Sequence, residues 1–205
     1  MSNILKIAAY ITMYHAGKPY PVTPMKLQKL LYYIKAWGLV SGDLYIPDKF
    51  KKWDYGPVNK AVYYHYKDYH NLPIPPSKDT KPEFSELEHQ FINFILDCYS
   101  PLNAISLSTM THSEAPWINT PQDATISEEK MKAYYSGLAF AKNFPIDLYN
   151  KPFHPVLTLL DYSFTMDMKS GKTEDIMVYT SFADYKHQFE NSYTNIPEIK
   201  TAFSH

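Results

Sequence analysis

Apolar positions recur every three to four residues through the first 142 residues, then switch to strict alternation near Leu160. Ile4, Ile7, Ala8 and Ile11 form one helical stripe over 3–16, closed by Gly17, Pro19 and Pro21. Thr23 reads as an N-cap and Pro24 as the first residue of a helix over 24–38. Its inner stripe is Leu27, Leu30, Leu31 and Ile34, with Trp37 a turn further and Gly38 and Gly42 at the exit. Tyr45 to Phe50 is short and extended. Gly56-Pro57 predicts a turn opening a helix over 58–69, with Val58, Val62 and Tyr66 inside. Four prolines mark 71–84 as a surface loop. Ser85 and Glu88 form a capping box before a helix over 86–99 carrying Phe91, Phe94, Ile95 and Tyr99. A short helix follows Ser100-Pro101 to about Met110, and 111–126 is mostly loop. A last core helix spans 128–142, with Met131, Tyr134, Tyr135 and Leu138 inward.

Beyond it the period changes. Leu160, Tyr162, Phe164, Met166 and Met168 alternate with polar residues, Ser170-Gly171-Lys172 is a turn, and Ile176 to Tyr179 reads as a returning strand. A brief helix over 184–190 ends the pattern. The expected fold is mainly α: a compact helical bundle with a small C-terminal β-hairpin at about 158–168 and 175–180. The expected organisation is a helical domain over 1–142 and an extension over 143–205 that packs on it.

Composition narrows the chemistry. The chain has 205 residues and a net charge of -1. Its basic residues are all lysine, so bidentate arginine readout of guanine and arginine fingers are excluded within the chain. One cysteine, Cys98, excludes an internal disulfide or a Cys-rich zinc site. With 6 glycines there is no phosphate-cradling loop, and the eight histidines show no metal-ligand spacing. No cofactor, metal or catalytic set is expected. No leader or long apolar span is evident, so the cytoplasm is the expected compartment. Charge is uneven: residues 1–70 hold 10 Lys and 4 acids, a balance of +6. That is either compositional scatter or a positive face for an acidic partner or nucleic acid.

Two polar–aromatic clusters stand out: Trp53-Asp54-Tyr55-Gly56-Pro57-Val58 and Thr111-His112-Ser113-Glu114-Ala115-Pro116-Trp117. Aromatics beside turns most simply anchor loops to a core, which predicts burial of Trp37, Tyr55 and Trp117. His112 and Glu114 would bind each other or nearby backbone. They could instead contact a ligand or partner, or act as base and orienter.

These clusters carry a resemblance. Thr23-Pro24-Met25-Lys26-Leu27-Gln28-Lys29-Leu30-Leu31-Tyr32-Tyr33 with Trp37, then Trp53 to Val58 with Val62-Tyr63, then Leu107-Ser108, Thr111-His112 and Pro116-Trp117 resemble the Panacea domain family in order and spacing. The resemblance covers about 1–140. It implies a compact helical fold and an antitoxin of a toxin–antitoxin pair, often phage- or mobile-element-associated. Such a protein neutralises its cognate toxin by direct stoichiometric binding, and some members resemble adaptors that deliver a target to a protease. It implies scaffold or partner-contact roles for Lys26, Gln28, Lys29, Trp37, Tyr55, Gly56, Pro57, His112, Glu114 and Trp117, and no catalytic residue. The tail hairpin and the lysines Lys26, Lys29 and Lys35 are the expected toxin contacts. A nucleic-acid-binding regulator and an enzyme using His112 and Glu114 are the competing readings. Membrane association is not expected.

Overall fold

The computed structural model describes residues 3–79, 82–146, 151–156 and 179–194. In chain order the elements are α1 (Asn3–Tyr14), α2 (Pro24–Ser41), β1 (Lys51–Trp53), β2 (Gly56–Val58), α3 (Lys60–Tyr66), α4 (Glu86–Tyr99), α5 (Ala104–Ser113), α6 (Ala115–Ile118), α7 (Glu128–Ser136) and α8 (Phe182–Thr194). Short 3-10 turns at Lys67–Tyr69 and Ala139–Asn143 follow α3 and α7.

Helix α2 is the axle. Thr23 caps it through the Lys26 amide, Pro24 sits in its first turn, and Gly42 ends it at φ 80. Every residue from Lys26 to Gly38 is buried, because α1, α3, α4, α5, α7 and β2 surround the helix. Its apolar stripe of Leu27, Leu30, Leu31 and Ile34 faces the core as the periodicity predicts. The opposite face, which carries lysines, is buried too. A helix enclosed on all sides is ordinarily apolar all round; here polar side chains occupy the enclosed positions.

Aromatic rings fill the space between α2, α4 and α7. Tyr33 stacks on Tyr99 at 4.3 Å, and the Trp37 indole packs against Tyr135 at 5.0 Å and Phe140 at 4.7 Å while donating to the Tyr99 hydroxyl at 2.7 Å. The chain beyond 143 joins the same layer. Phe153 and Phe182 lie 5.2 Å apart and both reach Phe94 of α4, and the Phe153 amide bonds the Tyr179 carbonyl.

Three expectations change. The small antiparallel sheet lies at 51–58, where Trp53 faces Gly56 and Lys51 faces Val58 across a two-residue turn, Asp54-Tyr55. Three-residue strands are too short to show alternation, and Pro57 argues against a strand at sequence level. The expected C-terminal strands fall mostly on 157–178, outside the described residues; the described sheet is not C-terminal. The helix expected over 128–142 stops at Ser136, since Leu138 is extended at ψ 151 and a tighter turn resumes at Ala139. The segment 45–50 forms no strand. Its carbonyls at Ile46 and Asp48 accept from Lys35 Nζ at 2.6 and 2.8 Å instead.

Gly38 tests this packing. A Cβ there would lie 2.3 Å from the Leu44 carbonyl oxygen, so the return of the chain against α2 requires glycine. Gly38→Ala should cost about 1–3 kcal/mol through overpacking, read as a lower urea midpoint with an unchanged slope. An unchanged midpoint would mean that residues 42–46 relax freely.

Candidate functional site

Four polar residues of α2 reach backbone groups of the connections packed around the helix. Lys26 Nζ donates to the Ser100 carbonyl at the end of α4 at 2.6 Å, where a cation also meets the negative end of the helix dipole. Gln28 grips Asn59 twice: its Nε2 donates to the Asn59 carbonyl at 3.1 Å and its Oε1 accepts from the Asn59 amide at 2.8 Å. Asn59 in turn caps α3 and bonds the Lys49 carbonyl. Lys29 Nζ donates to the Pro57 carbonyl at 3.2 Å. Lys35 Nζ uses three acceptors, the two carbonyls above and Glu128 Oε1 at 2.5 Å.

Lys29 also fixes the hairpin. Gly56 stands at φ +100, and a Cβ there would fall 2.6 Å from Lys29 Nζ and 2.8 Å from Thr111 Oγ1. The turn therefore sits directly on the buried ammonium and on α5. From outside, Ser108 Oγ donates to the Tyr55 carbonyl at 3.0 Å, and His112 Nε2 lies 2.8 Å from the Asp54 carbonyl. His112 Nδ1 is 2.6 Å from the Ser108 carbonyl, and its ring packs on Trp117 at 4.1 Å. Lys52 Nζ stands 4.0 Å over the same indole and donates to the Ile118 carbonyl. The outer edge of β1 is closed by 123–126, with bonds from the Lys52 amide to the Ala124 carbonyl and from the Asp123 amide to the Lys52 carbonyl, both 3.0 Å.

Glu114 turns the other way. It is buried, and its carboxyl accepts from Tyr33 Oη at 3.0 Å and Tyr135 Oη at 2.5 Å, tying α2 to α7. Burial pushes it up from 4.5 to about 7, against the lowering effect of the two phenol donors. Burial lowers Lys29 to about 7 and Lys26 to about 8. Beside Glu114 lies a cleft of about 120 Å³ lined by Trp37, Tyr99, Met110, Tyr134 and Val156 among others. That is below the roughly 300 Å³ at which ligand pockets begin. Among the described residues no group of three His, Cys, Asp or Glu is placed to hold a metal, and no helix is long and apolar enough to cross a membrane.

The structure thus joins the three motif segments around one point, but not as the sequence reading expects. Trp37 is buried and Trp117 half-buried, whereas Tyr55 is 75% exposed. The two-residue turn points its side chain outward while its carbonyl is held. Lys26, Lys29 and Lys35 are 1–3% exposed, so they do not form the basic face expected of them. His112 and Glu114 do not meet: they flank the end of α5 and face opposite sides, the hairpin and the core. Ser108, Thr111, Asn59 and Tyr33 complete the arrangement. Ser108 and Thr111 lie within the third motif, but nothing in their spacing reveals which backbone they reach.

The description "Antitoxin SocA-like, Panacea domain" matches residues 27–118, the stretch that contains most of α2, the hairpin and the α5–α6 turn. Residues 27–118 are similar to the Panacea domain. No curated protein matches the chain, and no solved structure does. The matched stretch takes its axle from α2 and its outer face from the hairpin and α6, while α1, α7 and α8 pack around it from outside.

Two pH effects follow. Lys29 titrates near 7 when folded and near 10.4 when unfolded, so the unfolded state binds more protons between those values and stability rises with pH there. Lys26 acts in the same direction. Lys29→Met should flatten the rise by up to about 1.4 kcal/mol per pH unit, measured by urea unfolding from pH 7 to 10. Glu114 has the opposite sign: its folded value of about 7 exceeds 4.5, so its contribution is present below 4.5 and is lost as pH rises to 7. His15, lowered to about 4 by burial, opposes it over 4–6.5. The difference between the wild type and Glu114→Gln isolates the carboxyl, and the wild type should lose stability relative to the variant as pH rises from 4.5 to 7.

Proposed function

We propose that this protein is an antitoxin that neutralises a cognate protein toxin by direct, stoichiometric binding. The observation that carries the reading is the Panacea domain at 27–118, described as antitoxin-like. The arrangement of polar groups supports it. Lys26, Gln28, Lys29 and Glu114 are occupied inside the fold, holding backbone and helices in place. What they leave outside is a rigid surface with exposed aromatic and aliphatic groups, the residue types that anchor protein interfaces. Neutralisation then proceeds by covering a surface of the toxin, without chemistry on it, and a standard interface of about 1,600 Å² suffices.

The nucleic-acid reading loses its main support. Of the 10 lysines in residues 1–70, Lys26, Lys29 and Lys35 are buried and cannot reach phosphates. The enzymatic reading loses the His112–Glu114 pair, whose members have separate partners. Delivery to a protease is a variant of the binding reading and differs in what becomes of the toxin.

Expression of the neighbouring reading frame with and without this chain tests the proposal. The expected outcome is arrested growth from that frame alone, rescue on co-expression, and co-purification at a fixed ratio with the toxin level unchanged. Rescue with disappearance of the toxin would indicate delivery to a protease. Absence of rescue and of a complex would overturn the antitoxin reading.

A further inference from the structure

Among the described residues Glu114 is the one acidic side chain that is buried, and no cation pairs with it. Lys35 pairs with Glu128 instead. The groups that feel the Glu114 charge are phenols: Tyr32 and Tyr33 of α2, Tyr99 of α4, and Tyr134 and Tyr135 of α7. Of the other titratable groups on neighbouring segments, His112 faces the hairpin and Lys151 bonds the Asn143 and Pro145 carbonyls. The Tyr33 and Tyr135 hydroxyls fill two of the roughly four acceptor sites of a carboxylate. Glu114 and Tyr135 both line the cleft beside them, which puts their shared hydrogen bond at its wall.

We infer that this cleft is a binding site for a small alkylammonium group, with the Glu114 carboxylate as its counter-ion and aromatic rings as its wall. The inference goes beyond the antitoxin reading and does not rest on it. The rings on the wall are those of Trp37, Tyr99, Tyr134, Tyr135 and Phe140. Aromatic rings attract an ammonium group, the more so where water is excluded, and cover its alkyl stem. The carboxylate supplies the charge and the open acceptor sites that an ammonium N–H needs.

Size selects the occupant. A cavity of about 150 Å³ holds benzene, so a cleft of about 120 Å³ holds about five heavy atoms. That is n-butylammonium, the end of a lysine side chain. Ser113 and Ala139 belong to the wall and are exposed, so the cleft opens to solvent there. A divalent cation takes about six oxygens, which one carboxylate among aromatic rings does not supply. A neutral ligand would leave the buried carboxylate without a cation, and an anion would be repelled. The protons set a further condition. Burial holds Glu114 up at about 7, whereas an alkylammonium keeps its proton to about pH 10 and the surrounding phenols are raised above their usual 10. Pairing needs the carboxylate, so affinity rises with pH through 7.

The test uses the full chain with n-butylammonium, n-butanol and Nα-acetyl-lysine amide as probes, read by calorimetry and by the Met110 methyl resonance. n-Butylammonium should bind with a Kd on the order of 1 mM at pH 8 and about tenfold more weakly at pH 6. n-Butanol, of the same size without the charge, should bind at least about tenfold more weakly than n-butylammonium at pH 8. Glu114→Gln should lose the pH dependence and weaken ammonium binding by at least about tenfold. Ala139→Leu changes an exposed residue of the wall, so it should melt as wild type while it fills the space and weakens binding by at least about tenfold. It keeps the test open if Glu114→Gln does not fold. Binding of the lysine amide alongside n-butylammonium would support the inference with a polypeptide's lysine as the source, and binding of n-butylammonium alone would support it with a free amine. Binding of neither amine at concentrations on the order of 10 mM would overturn it. So would equal affinity for n-butanol and n-butylammonium, or an affinity that is flat between pH 6 and 8.

Discussion

A lysine ammonium inside a protein must find acceptors or lose its proton, and a loop carbonyl inside a protein must find a donor. Here each need meets the other. The carbonyls of Ser100, Pro57, Ile46 and Asp48 lie at the end of a helix, at a hairpin and in the segment 45–50, which forms no strand, and lysines of α2 answer all of them. Gln28 does the same for the Asn59 amide and shares the Asn59 carbonyl with the Tyr63 amide. Without these contacts, connections packed around α2 would leave buried polar groups unpaired at about 1–3 kcal/mol each. The helix can be enclosed on every side because its own side chains supply the missing backbone partners.

The three lysines have different partners. Lys35 has three acceptors for three donors, one of them the Glu128 carboxylate. Lys26 has one carbonyl and the Tyr20 ring at 5.3 Å, and burial brings it down to about 8. Lys29 has one carbonyl and falls to about 7. A compact amine that can shed its charge is what the space beside Gly56 admits. A guanidinium is larger, planar and always charged, so arginine is a poor substitute at this point.

Much of the helical frame was legible because its signals are local. The Thr23–Pro24 start, the Ser85–Glu88 box and the Gly42 stop each act within one turn, and all appear in the structure. The apolar stripe of α2 was legible too, as one face of a period-3.6 pattern. What the pattern could not express was that the other face is also enclosed. Lys26, Lys29 and Lys35 carry the signature of a solvated face, and only contacts 11 to 93 residues away in sequence reverse it. Tyr55 failed in the opposite sense. A large aromatic beside a turn reads as an anchor, yet the anchoring is done by its backbone carbonyl and by the missing side chain of Gly56. His112 and Glu114 are two apart at the end of a helix, and their closeness in sequence said nothing about direction.

This division between inside and outside decides which positions the fold leaves free to change. Exchanging Lys26, Gln28, Lys29 or Glu114 would disturb the fold, because each holds backbone or a neighbouring helix in place. Here the polar motif residues point inward, and disturbing Lys29 or Gln28 would shift the hairpin as a unit. The side chains at Tyr55, Ile105 and Ile118 bear on nothing in the core, so exchanging them alters what the surface presents and leaves its position unchanged. Surface substitutions away from caps and cores usually change stability by less than about 0.5 kcal/mol. Such exposed positions can then change at little thermodynamic cost while the buried lysines keep the hairpin in register.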